Sequence, residues 1–161
     1  MKIYNRIIAA VDFSNYAKLV AEHAATLAHE LEAELVLVHV INDRDIDNTR
    51  ETVARLQDNK SRINIQKCID QLFEDRKRDL EALKQSIDSG KQQVRGIVRN
   101  GVPFRELLTA ISEEKADMMV MGIKGRSNLV DVMVGSQALK MFKRCPVTLV
   151  TVRQSDEKVT D

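Results

Sequence analysis

Gly122, Gly125 and Gly135 stand three and ten residues apart, and Ser136 follows the last of them. The whole chain has 6 glycines, so half of them fall in this one stretch. Glycine costs backbone entropy wherever it sits. A cluster is therefore expected where the chain takes unusual dihedrals or must let something approach closely. Lys124 and Arg126 lie inside the stretch, and Gly135 and Ser136, at the start of a helix, would offer backbone N–H groups and the Ser136 hydroxyl. That is chemistry suited to an anion such as phosphate. The common phosphate loops G-x-x-x-x-G-K-[ST] and G-x-G-x-x-G do not occur. On spacing alone, a ligand site and a plain turn leading into a Gly-Ser helix start are equal readings. Lys124 and Arg126 read equally well as phosphate contacts or as solvated loop charges.

A second candidate is Asp12, which ends the apolar run Arg6–Val11 and begins Asp12-Phe13-Ser14-Asn15. Asp12 or Ser14 can cap the following helix, a gain of about 1 kcal/mol. Ser14 can do this alone, which leaves Asp12 for a ligand. Ser136 has the same two readings, ligand contact or cap. Other candidates are weaker. His23, His29 and His39 lack metal-ligand spacing. Cys68 and Cys145 form no C-x-x-C pair and read as buried thiols. Met118, Met119 and Met121 read as strand core, with Met121 at the end nearest the glycines. No G-x-S-x-G elbow occurs, and no acid–base pair with a clear task can be argued.

The elements that must position these residues follow from periodicity. Arg6–Val11 and Leu35–Ile41 are apolar at nearly every position, as strands covered on both faces are. Between them Val20, Ala24, Leu27 and Leu31 recur at helical spacing among many alanines. Residues 42–92 are highly charged. The part to Asn64 carries no clear apolar stripe and reads as an irregular excursion with a short helix over 52–56. Ile65, Ile69, Leu72, Leu80, Leu83 and Ile87 then mark a long amphipathic helix. Val94–Arg99 is a strand ended by Asn100-Gly101, and Pro103 opens a helix with Phe104, Leu107, Leu108 and Ile111 inward. Asp117–Met121 is a strand, Val134–Arg144 a helix, and Pro146–Val152 a last strand. Five strands alternating with four helices predict a single-domain, doubly wound α/β fold with a parallel sheet. The glycine stretch then lies beyond the carboxyl end of the fourth strand, where open α/β sheets bind ligands.

Composition narrows the classes. The 161 residues are 43% hydrophobic and 30% charged, which predicts a globular domain. A net charge of +1 removes the usual electrostatic case for binding nucleic acid. No apolar run approaches the roughly 20 residues of a membrane span, and the first residues do not look like a signal peptide. These features read as a cytoplasmic protein with no membrane or nucleic-acid partner.

Gly122-x2-Gly125-x9-Gly135-Ser136 resembles the nucleotide-binding signature of the universal stress protein family, G-2x-G-9x-G-[S/T]. The similarity takes in Ile7–Val11 with Asp12-Phe13-Ser14, the strand ending His39-Val40, Gly101-Val102-Pro103 and Cys145-Pro146-Val147-Thr148-Leu149-Val150. Residues 42–64 and the tail lie outside it. The resemblance implies a sheet of order 3-2-1-4-5 with helices on both faces. It implies a nucleotide-binding domain over 1–153, with a variable excursion at 42–64 and a polar tail at 154–161. It places backbone atoms of Ala10, Val11 and Val40 at adenine. Asp12 falls by the ribose and phosphates, where Mg2+ or Mn2+ can join. Gly122, Gly125, Gly135 and Ser136 fall around the phosphates, with Met121, Lys124, Arg126 and Gln137 beside them. Gln137 departs from the small apolar residue common in relatives.

The expected function is that of an ATP-binding regulatory protein, with AMP or ADP as related ligands, rather than an enzyme. The nucleotide would act as a signal or conformational latch toward an unknown protein partner. The resemblance also implies a homodimer through Val147–Val152. Two other readings stand beside it, a slow ATP-hydrolysing enzyme on the same fold and a ligand-free dimeric interaction module.

Overall fold

The computed structural model describes residues 3–56, 64–90, 92–124 and 134–153. Five strands form one parallel sheet of order β3-β2-β1-β4-β5. They are β1 (Arg6–Ala10), β2 (Glu34–Asn42), β3 (Val94–Gly101), β4 (Met118–Gly122) and β5 (Thr148–Val152). The helices are α1 (Ala17–Glu30), α2 (Asp43–Leu56), α3 (Ile65–Ile87), α4 (Pro103–Glu113) and α5 (Ser136–Arg144). The expected class, strand order and helical crossovers are all present.

Side-chain alternation divides the core into two layers. Ile7, Ala9, Leu35, Leu37, Met118 and Val120 face α1 and α3, where the small faces of Ala21, Ala24 and Ala28 allow α1 to lie close to the sheet. Ile8, Val36, Val38, Met119 and Met121 face α4 and α5, meeting Leu107, Ile111, Ala138 and Met141. The three methionines of β4 are buried, as expected of strand core. Cys68 and Cys145 are unpaired and only half-buried, a partial departure from the expected buried thiols. No helix among the described residues is long and apolar enough to cross a membrane.

The largest departure from the sequence reading is α2. Its 14 residues fill the start of the segment read as an irregular excursion with a short helix over 52–56. Only Ile46 and Val53 are buried, two turns apart, too sparse a stripe to stand out among charges. Ile46 packs with Ile41 and Ile69, flanked by Ile65, Leu72 and Phe73 of α3. Tertiary contact therefore decides this helix. Residues 57–63 of the same segment and the tail at 154–161 lie outside the described residues. Elsewhere the differences are small: β3 runs on through Asn100-Gly101, and α5 begins at Ser136 rather than Val134.

Candidate functional site

The strands end at different heights, and the step between them makes a cleft. β1 stops at Ala10, opposite Val38, while β2 continues through His39–Asn42 alongside β3. On the other side β4 ends at Gly122, and α5 begins at Ser136. A cavity of about 490 Å³ lies between these ends. That is within the size range of small-ligand sites, roughly 300–1,000 Å³. It sits at the switch point between β1 and β4, whose crossover helices α1 and α5 pack on opposite faces of the sheet.

The lining brings together most of the expected residues. Ala10, Val11, Asp12, Val40, Met121, Gly122, Lys124, Gly135, Ser136 and Gln137 all contribute. Gly125 and Arg126 lie outside the described residues. Val38, Val40, Leu107 and Met121 supply an apolar wall, and Asp12, Lys124 and Ser136 supply polar groups. An apolar wall with a few polar groups suits a flat organic ring carrying a charged tail.

Local geometry explains how each group is held. The Ser14 N–H donates to Asp12 Oδ1 at 3.0 Å, a short side-chain turn that orients the carboxylate. The Tyr16 N–H donates to Ser14 Oγ at 3.3 Å. The helix N-cap is Tyr16, with no side-chain capping bond. The expectation that Ser14 caps α1 is thus corrected: its hydroxyl closes the turn before the helix instead. On the opposite wall the Ile123 N–H donates to the Val152 carbonyl at 3.0 Å, and the Gly135 N–H donates to the Ile123 carbonyl at 2.9 Å. The Gly135 amide, expected to face a ligand, is therefore engaged inside the loop. The amides of Ser136, Gln137 and Ala138 open α5 and have no partner four residues back within the helix. Gly135 is the N-cap and gives no side-chain cap, so Ser136 enters as the first helical residue. The Gln137 Oε1 atom lies buried on the cleft wall without a hydrogen-bond partner among the described residues.

Sequence reasoning missed part of the cleft. Tyr16, Asn42, Arg44, Asp45 and Asn48 also line it. Asn42 Oδ1 accepts from the Arg44 N–H at 3.1 Å, fixing the first turn of α2 directly after β2. The available signal was Asn42-Asp43, a helix-start pattern next to the strand end.

Among the described residues no group of three or more His, Cys, Asp and Glu side chains is arranged to hold a metal ion. Asp12 can supply one carboxylate. That fits Mg2+, which is usually held by one or two carboxylates together with phosphate oxygens and water. It does not make a metal site independent of a phosphate ligand.

Comparison with known proteins agrees with the fold. The model of the Universal stress protein family matches residues 3–153. Universal stress protein MJ0577 of Methanocaldococcus jannaschii is 25% identical over 159 residues, covering 96% of this chain and 98% of that protein. A solved structure of MJ0577 superposes with a TM-score of 0.75 at 23% identity, covering 96% and 99% of the two chains. A universal stress protein solved in complex with cAMP gives a TM-score of 0.62 at 16% identity, covering 93% and 97%. One from Archaeoglobus fulgidus in complex with dAMP gives 0.55 at 18%, covering 94% and 99%.

Proposed function

The chain belongs to the universal stress protein family, and from that premise we propose that it is an ATP-binding regulatory protein whose cleft holds the nucleotide between the ends of β1 and β4. The observation that carries the reading is the shape and polarity of that one cavity. A wall of Val38, Val40, Leu107 and Met121 faces polar groups on Asp12, Lys124 and Ser136. Two proteins of the same fold were solved with adenine nucleotides, which supports the ligand class.

In this reading the adenine lies against Ala10, Val11 and Val40, with backbone groups reading its edge. The Asp12 carboxylate sits by the ribose and the phosphates, and a Mg2+ or Mn2+ ion carried by the nucleotide would take it as a ligand. The phosphates meet the first amides of α5, where unpaired N–H groups and the helix dipole favour negative charge. Ser136 adds a hydroxyl donor and Lys124 a cation. Gly125 and Arg126 belong to the same phosphate end by their place in the glycine motif. The Gln137 amide, one face of which has no partner, reaches the ligand from α5. All of these are contacts to a ground-state nucleotide, so we assign it the role of a bound signal or latch read by a protein partner, not of a turnover substrate.

The oligomer belongs to the proposal too. Among the described residues β5 is an edge strand, paired with β4 alone, and unpaired edges invite pairing with another chain. We assign Val147–Val152 to a two-fold contact with a second copy in the cytoplasm, with no role for membrane or nucleic acid. Leu139 and Phe142 of α5, 46% and 78% exposed, would lie near that edge.

The deciding experiment is to purify the chain, denature it and identify any released nucleotide by chromatography and mass spectrometry. Calorimetric titration with ATP and Mg2+ then follows on the nucleotide-free protein. Co-purified adenine nucleotide, or binding at micromolar to sub-millimolar concentration, is the expected result. No binding at millimolar ATP refutes the reading and favours the ligand-free interaction module.

A further inference from the structure

Among the described residues His39 is the one fully buried polar or charged side chain, with 1% of its surface exposed. Its Nδ1 lies 2.8 Å from the Val11 carbonyl oxygen. A carbonyl only accepts, so Nδ1 carries the proton and donates. The Val11 N–H is satisfied by the Val38 carbonyl at 2.9 Å, but pairing of β1 with β4 ends at Ala10 opposite Met121. The Val11 carbonyl therefore lies one residue past that ladder and one residue before Asp12. It is held there by the imidazole ring.

The next residue reinforces the arrangement. Phe13 has φ of 55°, a left-handed conformation that ordinary residues rarely adopt. The turn carries its ring away from the cleft and onto His39, with centroids 4.5 Å apart. The Arg76 guanidinium of α3 lies 5.7 Å from the centre of the same ring. His39 alternates with Val38 and Val40, so it projects into the α1 and α3 layer while they line the cleft. It is placed to act on the ligand only through the backbone at Val11 and Asp12.

Resting on the nucleotide reading above, we propose that His39 is a positioning residue for the site. Its Nδ1–H fixes the Val11 carbonyl, and the His39–Phe13–Arg76 stack holds the left-handed turn, so that the Asp12 carboxylate is aimed into the cleft before ligand arrives.

The test is a double-mutant cycle on the full chain, read as ATP affinity by calorimetry, with urea unfolding run on every variant. His39→Leu keeps the volume and removes the donor. It is expected to weaken ATP binding about tenfold, the scale of one hydrogen bond, or ~1.4 kcal/mol. His39→Asn places an amide donor near the Nδ1 position and is expected to restore binding to within about threefold of wild type. In an Asp12→Asn background, His39→Leu should cost little more, because the two residues act in series. Equal losses in both backgrounds would mean packing alone and would overturn the proposal. So would a folded His39→Leu that binds ATP like wild type. Should His39→Leu fail to fold, Arg76→Met at the outer end of the stack provides the same cycle. It is expected to lower affinity in the wild-type background and not in Asp12→Asn, and the reverse pattern overturns the proposal. A wild-type chain that binds no ATP overturns the nucleotide reading itself. Wild-type binding with unaffected variants overturns only the role of His39.

Discussion

Replacing Gly122 by alanine tests the glycine wall of the cleft with one methyl group. A Cβ built at Gly122 would lie 3.0 Å from the Lys124 carbonyl oxygen and 3.4 Å from Val20 Cγ2. The second distance is ordinary contact; the first requires a shift of a few tenths of an ångström. The strand side is fixed, because Gly122 pairs with Val152 and the Ile123 N–H donates to the Val152 carbonyl at 3.0 Å. The loop bearing Lys124 must therefore move. Gly122 is not among the positive-φ glycines, so alanine meets no dihedral penalty and regains about 0.5–1 kcal/mol of backbone entropy. This gain and the steric cost are of similar size, so unfolding stability is expected to change by less than about 1 kcal/mol. Binding should change more. Displacing Lys124 weakens one charge-assisted contact, about 1.5 kcal/mol, and gives roughly a tenfold rise in the ATP dissociation constant. Calorimetry with ATP and urea unfolding on the same preparation measure both quantities. An alanine variant that binds ATP like wild type refutes the reasoning, because the loop then either yields freely or does not face the ligand. A loss of several kcal/mol in stability refutes it differently, by showing that the effect runs through the fold.

Two further predictions concern the opposite end of the sheet and its edge. At the amino ends of the strands Arg6 and Arg95 hold Glu34 at 2.7 and 2.6 Å, and Arg95 also pairs with Glu114. The Arg95 hydrogen bond holds the Glu114 carboxyl below its ordinary value of 4.5. Burial pushes Glu34 up, but its hydrogen bonds from Arg95 and Arg6 outweigh this and it too is lowered. Carboxylates depressed in the folded state contribute stability that is complete above about pH 4.5 and is lost as the pH falls through their folded values. The melting temperature of the wild type should therefore fall on acidification below pH 4.5, and Glu114→Gln should start lower at pH 7 and fall less. An unchanged pH profile in that variant would remove the network from the account. At the sheet edge, replacing exposed Thr148 and Thr151 together by lysine sets like charges across the proposed two-fold contact. Light scattering should then show monomer at concentrations where wild type is dimeric; an unaltered dimer would place the contact elsewhere.

The sheet was legible because its strands are buried on both faces. Leu35–Ile41 needs no alternation to be read as a strand, and the alanines of α1 announce close packing on a sheet. α2 was not legible, because only Ile46 and Val53 are buried on it and Ile46 acquires meaning only when α3 presents Ile69, Leu72 and Phe73 beside it. The cost of missing α2 fell on the site. Arg44, Asp45 and Asn48 share the cleft with the expected residues, yet nothing in their local pattern points to a ligand.

The glycine motif and Asp12 were legible as candidates, but their roles were not separable by spacing. Gly135 illustrates the reason. Motif reasoning offers its N–H to a phosphate, whereas the fold uses that N–H to tie α5 to the Ile123 carbonyl. The glycine then contributes by setting where α5 begins, and the amides after it become the donors. His39 is the complementary case. By type and spacing it had no chemistry to offer, since no metal partner stood near it in sequence. Only the step between β1 and β2 reveals a carbonyl past the end of a ladder, and only the alternation of β2 brings a ring nitrogen to it. A binding site built at a switch point depends on such support from the layer behind it. There the strand stops pairing before the chain has finished aiming its functional side chain, and a buried donor must complete what the ladder leaves open.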